Sequence, residues 1–388
     1  MNEVVLVDAV RTPIGKRGGA LSNHHSIDLL AVTLNALVDR TGVNPARVGQ
    51  VIGGCVSQVG MQAMNVTRQA WLTAGLPAGV ASTTVDAQCG SSQQAMTLAY
   101  GLVRAGMMDA AVACGVEVMS RVPLGSNVPK DGSLGKAVTK SYWAQHRYTT
   151  QFQASELIAQ KWGITRHECD AFGVRSQQLA AKAVARGAFD TQIVPVTVPS
   201  ASGTSEEPWV FTTDQGLRET TLESLAGLKT NLPDGVHSAG TSSQVSDGAS
   251  ALLLMSAEKA SELSVAPLAR IVDSRLVGCD PELMLTGPIS MTRMLLDAHG
   301  LTIDEIDVVE INEAFASVVL AWEHEIKPDM SRVNPNGGAI ALGHPLGATG
   351  VGLVTKAAHE LKNAGLNRAL VTMCCGGGLG TGTLLERV

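Results

Sequence analysis

The feature that most limits what this chain can fold into is an order of elements that occurs twice. VVLVDAVRTP (4–13) parallels ARIVDSRLVG (269–278), and ARVGQVIGG (46–54) parallels DEIDVVEIN (304–312). A helix over 90–106 followed by AAVACGVEVMS (110–120) parallels a helix over 347–363 followed by ALVTMCCGGG (369–378). The short apolar runs Val4–Val10, Val48–Gly53, Ala110–Cys114, Ala269–Val272, Asp307–Ile311 and Ala369–Met373 read as buried strands. Ser26–Thr41, Gly90–Gly106, Met291–His299 and Gly347–Asn363 read as helices. Such alternation predicts an α/β fold: a largely parallel sheet with helices on its faces. Any two α/β segments look somewhat alike. The cysteine-bearing elements also fall in equivalent places, however, which favours an ancient duplication into two similar halves.

Between the halves lies a stretch of different character. It opens on the polar run RVPLGSNVPKDGSLGKAVTK (121–140), carries amphipathic helices near Phe152–Trp162 and Arg166–Arg186, and closes on HSAGTSSQVSDG (237–248). Long insertions on a rigid scaffold often cover or bind a ligand. We therefore expect an N-terminal half at 1–117 plus 245–264, an inserted loop domain at 118–244, and a C-terminal half at 265–388.

Composition removes several function classes. At 45% hydrophobic and 16% charged residues, the 388-residue chain is too apolar to be disordered. Aromatics at 3% argue against stacking platforms for single strands, and a net charge of −6 without a basic patch argues against nucleic acid as a partner. No apolar run of about 18 residues suggests a membrane span. The N-terminus reads as a strand rather than a leader, so we expect a cytoplasmic protein. Seven cysteines, an odd number mostly in apolar or glycine-rich segments, point to reduced thiols rather than a disulfide framework.

Four elements carry the chemistry. In VDAQCGSSQQA (85–95), Cys89 precedes an apolar helix, where the helix dipole would lower its pKa and its N–H would face an oxyanion; an inert buried thiol is the alternative. In VVEINEAFAS (308–317), Asn312 and Glu313 follow a buried strand and need either a task or a role as helix cap. In NPNGGAIALGHPLGATG (334–350), His344 lies among glycines just before Pro345, a placement that suits either a general base or a structural histidine. In TMCCGGGLGTG (372–382), two cysteines end a strand. No dinucleotide fingerprint spacing exists there, a metal site lacks a second ligand pair, and a vicinal disulfide would be strained.

Taken jointly and in this order, the cysteine helix, NEAF, NGGAIALGHP and the Cys-x-Gly-Gly-Gly turn resemble the thiolase family over nearly the whole chain. The resemblance implies the thiolase fold: two βαβαβαββ halves packed as α/β/α/β/α layers, with the inserted loop domain over the coenzyme A site. It implies that Cys89 is the acyl-accepting nucleophile, His344 the base that activates it, and Cys374 the acid/base for the acetyl carbon. Asn312 would hold a water beside His344 in one oxyanion hole, and the N–H groups of Cys89 and Gly376 would form the other, with Cys375 a spacer. Ser243 and Arg218 fall where the family contacts pantetheine and the nucleotide end of coenzyme A. The implied activity is thiolytic cleavage of a 3-ketoacyl-CoA, or the reverse Claisen condensation. Coenzyme A is then a co-substrate, with no permanently bound cofactor and no metal, and the protein a homo-dimer or homo-tetramer.

The chain departs from the short-chain members, which carry a methionine near the place of Gln151 in TTQFQASELIA (149–159). With DQGLRETT (214–221), this resembles thiolases for bulky acyl-CoAs, including steroid side-chain intermediates. Decarboxylating ketoacyl synthases of the same fold lack a second cysteine, so Cys374 argues against that reading. A non-catalytic acyl-CoA-binding protein on this scaffold would not need Cys89, His344, Asn312 and Cys374 together. An NAD-dependent oxidoreductase is disfavoured by the missing fingerprint.

Overall fold

Extended backbone sends successive side chains to opposite faces, and this alternation builds the layers. The computed structural model describes residues 1–128, 131–199 and 207–388, so 129–130 of the polar run and 200–206 of the insertion lie outside the described residues. Its strands are β1 (Val4–Arg11), β2 (Gly15–Lys16), β3 (Gln50–Gly54), β4 (Ala81–Val85), β5 (Ala110–Val118), β6 (Val196–Val198), β7 (Trp209–Phe211), β8 (Ser246–Ser256), β9 (Ala269–Gly278), β10 (Val308–Ile311), β11 (Arg368–Cys375) and β12 (Leu379–Glu386).

Val5, Val51 and Val112 face an outer cluster with Leu30 and Leu34 of helix Ser26–Thr41 and Trp71 of helix Val66–Thr73. Their neighbours Leu6, Ile52 and Ala113 face inward, onto Met96 and Val103 of helix Ser91–Arg104 and Val354 and Ala358 of helix Leu346–Ala364. In the second half Val308 and Val371 share that inner cluster. Val309 and Leu370 turn outward to Met291 and Leu295 of helix Gly287–His299 and Trp322 of helix Ala316–Ile326. The result is the expected α/β/α/β/α stack, with two helices at its centre. β5, β8 and β11 are covered on both faces, which is why β5 and β11 read as nearly unbroken apolar runs, whereas β4 at the sheet edge stays partly exposed.

The strand order is β10-β11-β12-β9-β1-β8-β5-β3-β4, with β2 beside β8. The halves correspond element for element. β3 lies between β4 and β5 in parallel. β10 lies parallel to β11, with a single parallel bridge from Val309 to Val333 where the first half has β4. A short antiparallel seam, Val4–Leu6 on Ile271–Ala269, joins the two halves of the sheet.

The expectation of a largely parallel sheet is corrected. β8 runs antiparallel to both β5 and β1, and β12 runs antiparallel to both β11 and β9, so the sheet is mixed. β12 needs no crossover helix: Gly377 (φ 78°) and Gly378 (φ 79°) turn the chain straight back from β11. Helix boundaries follow their caps. Helix Ser26–Thr41 stops at left-handed Gly42, and helices Gln151–Trp162 and Arg166–Ala185 open on the capping boxes Thr150/Gln153 and Thr165/Glu168. No described helix is long and apolar enough to cross a membrane.

Candidate active site

Cys89 and His344 occupy matching places in the two halves, each two residues ahead of a central helix. The chain reaches Cys89 through Gln88, held in the left-handed region at φ 52°. That conformation costs a non-glycine residue about 1–2 kcal/mol. It is offset by Gln88 N–H donating to Asp86 Oδ1 (2.7 Å) and Ser91 Oγ donating to the Gln88 carbonyl (2.6 Å). Gly90 follows as N-cap; a Cβ there would collide with Cys375 Sγ.

Cys89 is half-buried and packs against Val56, Met119 and Leu346. Burial pushes its thiol up to about 11, although the N–H groups of Gly376 and of Cys89 itself point at the sulfur and pull the other way; the charges of Glu117 and Asp86 add to the rise. The expectation of a dipole-lowered thiolate is therefore corrected. Removal from water outweighs the helix end, and the resting group is the neutral thiol.

His344 follows Gly343, whose φ of 115° is a glycine conformation, and precedes Pro345, the cap of helix Leu346–Ala364. Its N–H donates to Ser246 Oγ (3.1 Å). Burial lowers its pKa to about 4, so the ring is neutral at ordinary pH. Its tautomer follows from the neighbours. Thr349 Oγ1 donates to the Pro345 carbonyl (2.9 Å), so it accepts from His344 Nδ1 (2.7 Å). Nε2 then carries the lone pair and faces Asn312 Nδ2 at 3.4 Å.

Asn312 is not a helix cap: helix Ala316–Ile326 opens on Phe315. Its N–H donates to the Thr372 carbonyl (3.1 Å). Its Oδ1 is buried with no hydrogen-bond partner among the described residues, the mark of a group awaiting a water or a ligand. Glu313 does structural work. It accepts from Ser176 Oγ (2.6 Å), Asn334 Nδ2 (2.8 Å) and Ile340 N–H (3.2 Å), which pins the loop leading to His344.

Cys374 and Cys375 end β11 on opposite faces. Cys374 joins Ala154 and Ile158 of helix Gln151–Trp162, together with Met284, Leu285, Phe315 and Val318. Burial raises its pKa well above the ordinary thiol value, and the charge of Cys89 raises it further. Cys375 lies beneath Gly90, and all seven cysteines are free.

Ser243 and Arg218 sit on neighbouring loops, and among the described residues no hydrogen bond joins their side chains to the five inner residues. Ser243 N–H donates to the Ala314 carbonyl (2.9 Å), and Arg218, exposed, donates its N–H to Gln177 Oε1 (2.9 Å). Gln244 unites the loops: its Nε2 donates to the carbonyls of Gly216 (2.8 Å), Ile340 (2.9 Å) and Ala341 (3.1 Å). The buried pair Arg11–Asp214 (2.8 Å) anchors the 214–221 segment to β1. Sequence reasoning missed Thr349 and Gln244, which carry no motif of their own, and Glu117, whose charge inside an apolar strand was a visible signal.

Known proteins match this arrangement from end to end. A family model described as the thiolase N-terminal domain matches residues 4–258, and one described as the thiolase C-terminal domain matches 265–387. The chain is 46% identical over 394 residues to the steroid 3-ketoacyl-CoA thiolase FadA6 of Mycobacterium tuberculosis, covering 100% of this chain and 95% of the relative. It is 41% identical over 407 residues to a beta-ketoadipyl-CoA thiolase of Acinetobacter baylyi, covering 100% of both. The crystal structure of the Bacillus anthracis acetyl-CoA acetyltransferase superposes with a TM-score of 0.92 at 38% identity, covering 100% of this chain and 99% of that one. Both halves of the duplicated fold are matched, each by its own family domain, and the chain belongs to the thiolase family of acyltransferases, which cleave or form carbon–carbon bonds beside a CoA thioester.

Proposed function

We propose that this thiolase works through an acyl-Cys89 intermediate, with His344, Cys374, Asn312 and Gly376 as its partners. The observation that carries the reading is the buried contact of His344 Nε2 with Asn312 Nδ2 (3.4 Å), beside an Asn312 Oδ1 that has no hydrogen-bond partner among the described residues. In the cleavage direction, Cys89 Sγ bonds to the 3-keto carbon while its proton passes to His344 Nε2. The oxyanion is held by N–H donors, a contribution of roughly 3–4 kcal/mol each. As the C2–C3 bond breaks, its electron pair goes to the departing acetyl-CoA enolate, and Cys374 Sγ–H protonates that carbon. The entering CoA thiol returns a proton to Cys374, its sulfur takes the acyl group, and the proton on His344 goes back to Cys89. The charge states support each role: burial keeps Cys374 protonated as an acid and keeps His344 neutral as a base. Asn312 Oδ1, buried and without a hydrogen-bond partner among the described residues, is assigned to the water of the second oxyanion site.

Ser243 and Arg218, on the loops that Gln244 unites, are assigned to pantetheine and to the nucleotide end of coenzyme A. Residues 118–244 form the loop domain over that site, flanked by halves at 1–117 plus 245–264 and at 265–388. Coenzyme A comes and goes as co-substrate without a resident cofactor. The protein is a cytoplasmic homo-dimer or homo-tetramer. Its substrates are bulky 3-ketoacyl-CoAs, including steroid side-chain intermediates, in keeping with Gln151 at the start of the helix that walls Cys374 and with the 46%-identical steroid thiolase.

Intact-mass analysis after incubation with a 3-ketoacyl-CoA tests the core of this. One acyl group is expected on the wild type, mapped to Cys89, and none on Cys89→Ala; labelling that survives the substitution rejects the mechanism. Clear preference for acetoacetyl-CoA over ring-bearing 3-ketoacyl-CoAs rejects the substrate class.

A further inference from the structure

β5 is apolar along its length except for Glu117, whose side chain is fully buried. Among the other buried acids Asp170, Asp214 and Glu310 have cations, Asp214 pairing with Arg11 and Glu310 with Lys356 (2.8 Å), whereas Asp247 and Glu313 are held by neutral donors. Glu117 has no salt bridge among the described residues. It accepts instead from Gly347 N–H (2.9 Å), Val56 N–H (3.0 Å), Ser57 N–H (3.1 Å) and Gln62 Nε2 (2.7 Å). An unpaired buried carboxylate is costly, and four charge-assisted bonds are what offset it. Gln62 is itself fixed, accepting from Val118 N–H (2.8 Å). Gly347 admits the carboxylate because it has no side chain; a Cβ there would lie 2.8 Å from Glu117 Oε2.

The donors arrive from different parts of the chain: the turn after β3, the 60–62 helical turn, and the first turn of the helix after His344. The residues packed against Cys89 are Val56, Met119 and Leu346. Val56 is itself a donor to Glu117, Leu346 precedes the donor Gly347, and Met119 lies two residues beyond Glu117 on the same chain.

We propose that Glu117 is a positioning residue for the acyl transfer, a buried carboxylate that fixes the three apolar walls of the Cys89 thiol and ties the β3 turn to the start of the helix that follows His344. The proposal rests on the reading of Cys89 as acyl acceptor. Glu117 also sets part of the field at that sulfur, together with Asp86 ahead of it and Cys374 and Cys375 on β11. Burial raises its own pKa, against the pull of its N–H donors.

Full-length Glu117→Asp and Glu117→Gln test this through thiolysis kinetics, the pH dependence of Cys89 alkylation by iodoacetamide, and melting temperature. Glu117→Asp keeps the charge but withdraws it by a methylene. Its kcat should fall about tenfold to a hundredfold, with KM for CoA and the alkylation midpoint unchanged. Glu117→Gln should lose kcat similarly and move the alkylation midpoint down by about one pH unit. Wild-type kcat in either folded variant overturns the proposal. So does a Glu117→Gln protein that melts lower yet keeps the wild-type midpoint, since that is a structural role alone. If Glu117→Gln does not fold, kcat of Glu117→Asp decides. Failure of the parent reading looks different: the wild type itself would take no acyl group on Cys89.

Discussion

Thr349 Oγ1 spends its own proton on the Pro345 carbonyl, which leaves it only lone pairs for His344 Nδ1. That hydroxyl places the ring proton on Nδ1 and leaves the lone pair on Nε2, the atom that the proposed mechanism uses as base. Thr349→Val keeps the shape and removes the acceptor. The stranded Nδ1–H then favours the other tautomer, with Nε2 protonated and unable to act as base. Thiolysis kcat should drop about tenfold or more, with KM for CoA little changed, and Thr349→Ser should restore it. Steady-state kinetics of the two variants check this; equal rates in the valine variant would contradict the tautomer assignment.

The loop from Asn334 to His344 has little regular structure, and it is held in place by Glu313. Glu313→Ala leaves Ser176 Oγ and the Ile340 N–H without their acceptor in a dry site, and Asn334 Nδ2 with only the Ile311 carbonyl. Each buried polar group left unpaired costs about 1–3 kcal/mol, so urea unfolding should show a loss of at least about 2 kcal/mol. Activity should fall with it, because the same loop delivers His344. At this scale much was legible beforehand. Helix Ser26–Thr41 matches its expected ends residue for residue, because its cap residues and its apolar period are both local. β8 and β12 were not legible as antiparallel members, since strand direction in a sheet depends on where the chain returns from and not on the composition of the strand.

Two effects belong to the molecule as a whole. Arg11 and Asp214 stand 203 positions apart and pair in a buried site. Asp214→Ala strands a buried guanidinium and should cost about 3–5 kcal/mol, with KM for CoA rising more than kcat falls, because the 214–221 loop is released while the Cys89 neighbourhood is not. Denaturant titration and substrate-saturation kinetics read the two arms. The second effect is acid lability. Burial holds the folded-state pKa of His344 at about 4, below the 6.5 of a solvated histidine, and lowers that of His237 as well. The unfolded chain therefore takes up protons first. The resulting stability is fully present above pH 6.5 and is lost as pH falls toward about 4, a contribution of about 3 kcal/mol from His344. The melting temperature should decline across that window, and His344→Asn should flatten the slope; an unchanged slope would contradict the burial argument.

The amino-acid sequence by itself determined the duplicated order of strands and helices and the succession of Cys89, Asn312, His344 and Cys374 along it. These rest on periodicity, capping and residue identity, all of which act within a few positions. Only the tertiary structure decided the chemical state of those groups. The pKa of Cys89 is raised by burial against Val56, Met119 and Leu346, and none of the three is its neighbour in sequence. Asn312 is free of capping duty because the next helix starts at Ala316. Solvation and hydrogen-bond partners are set by whatever the fold brings alongside a group, and local sequence does not contain that information.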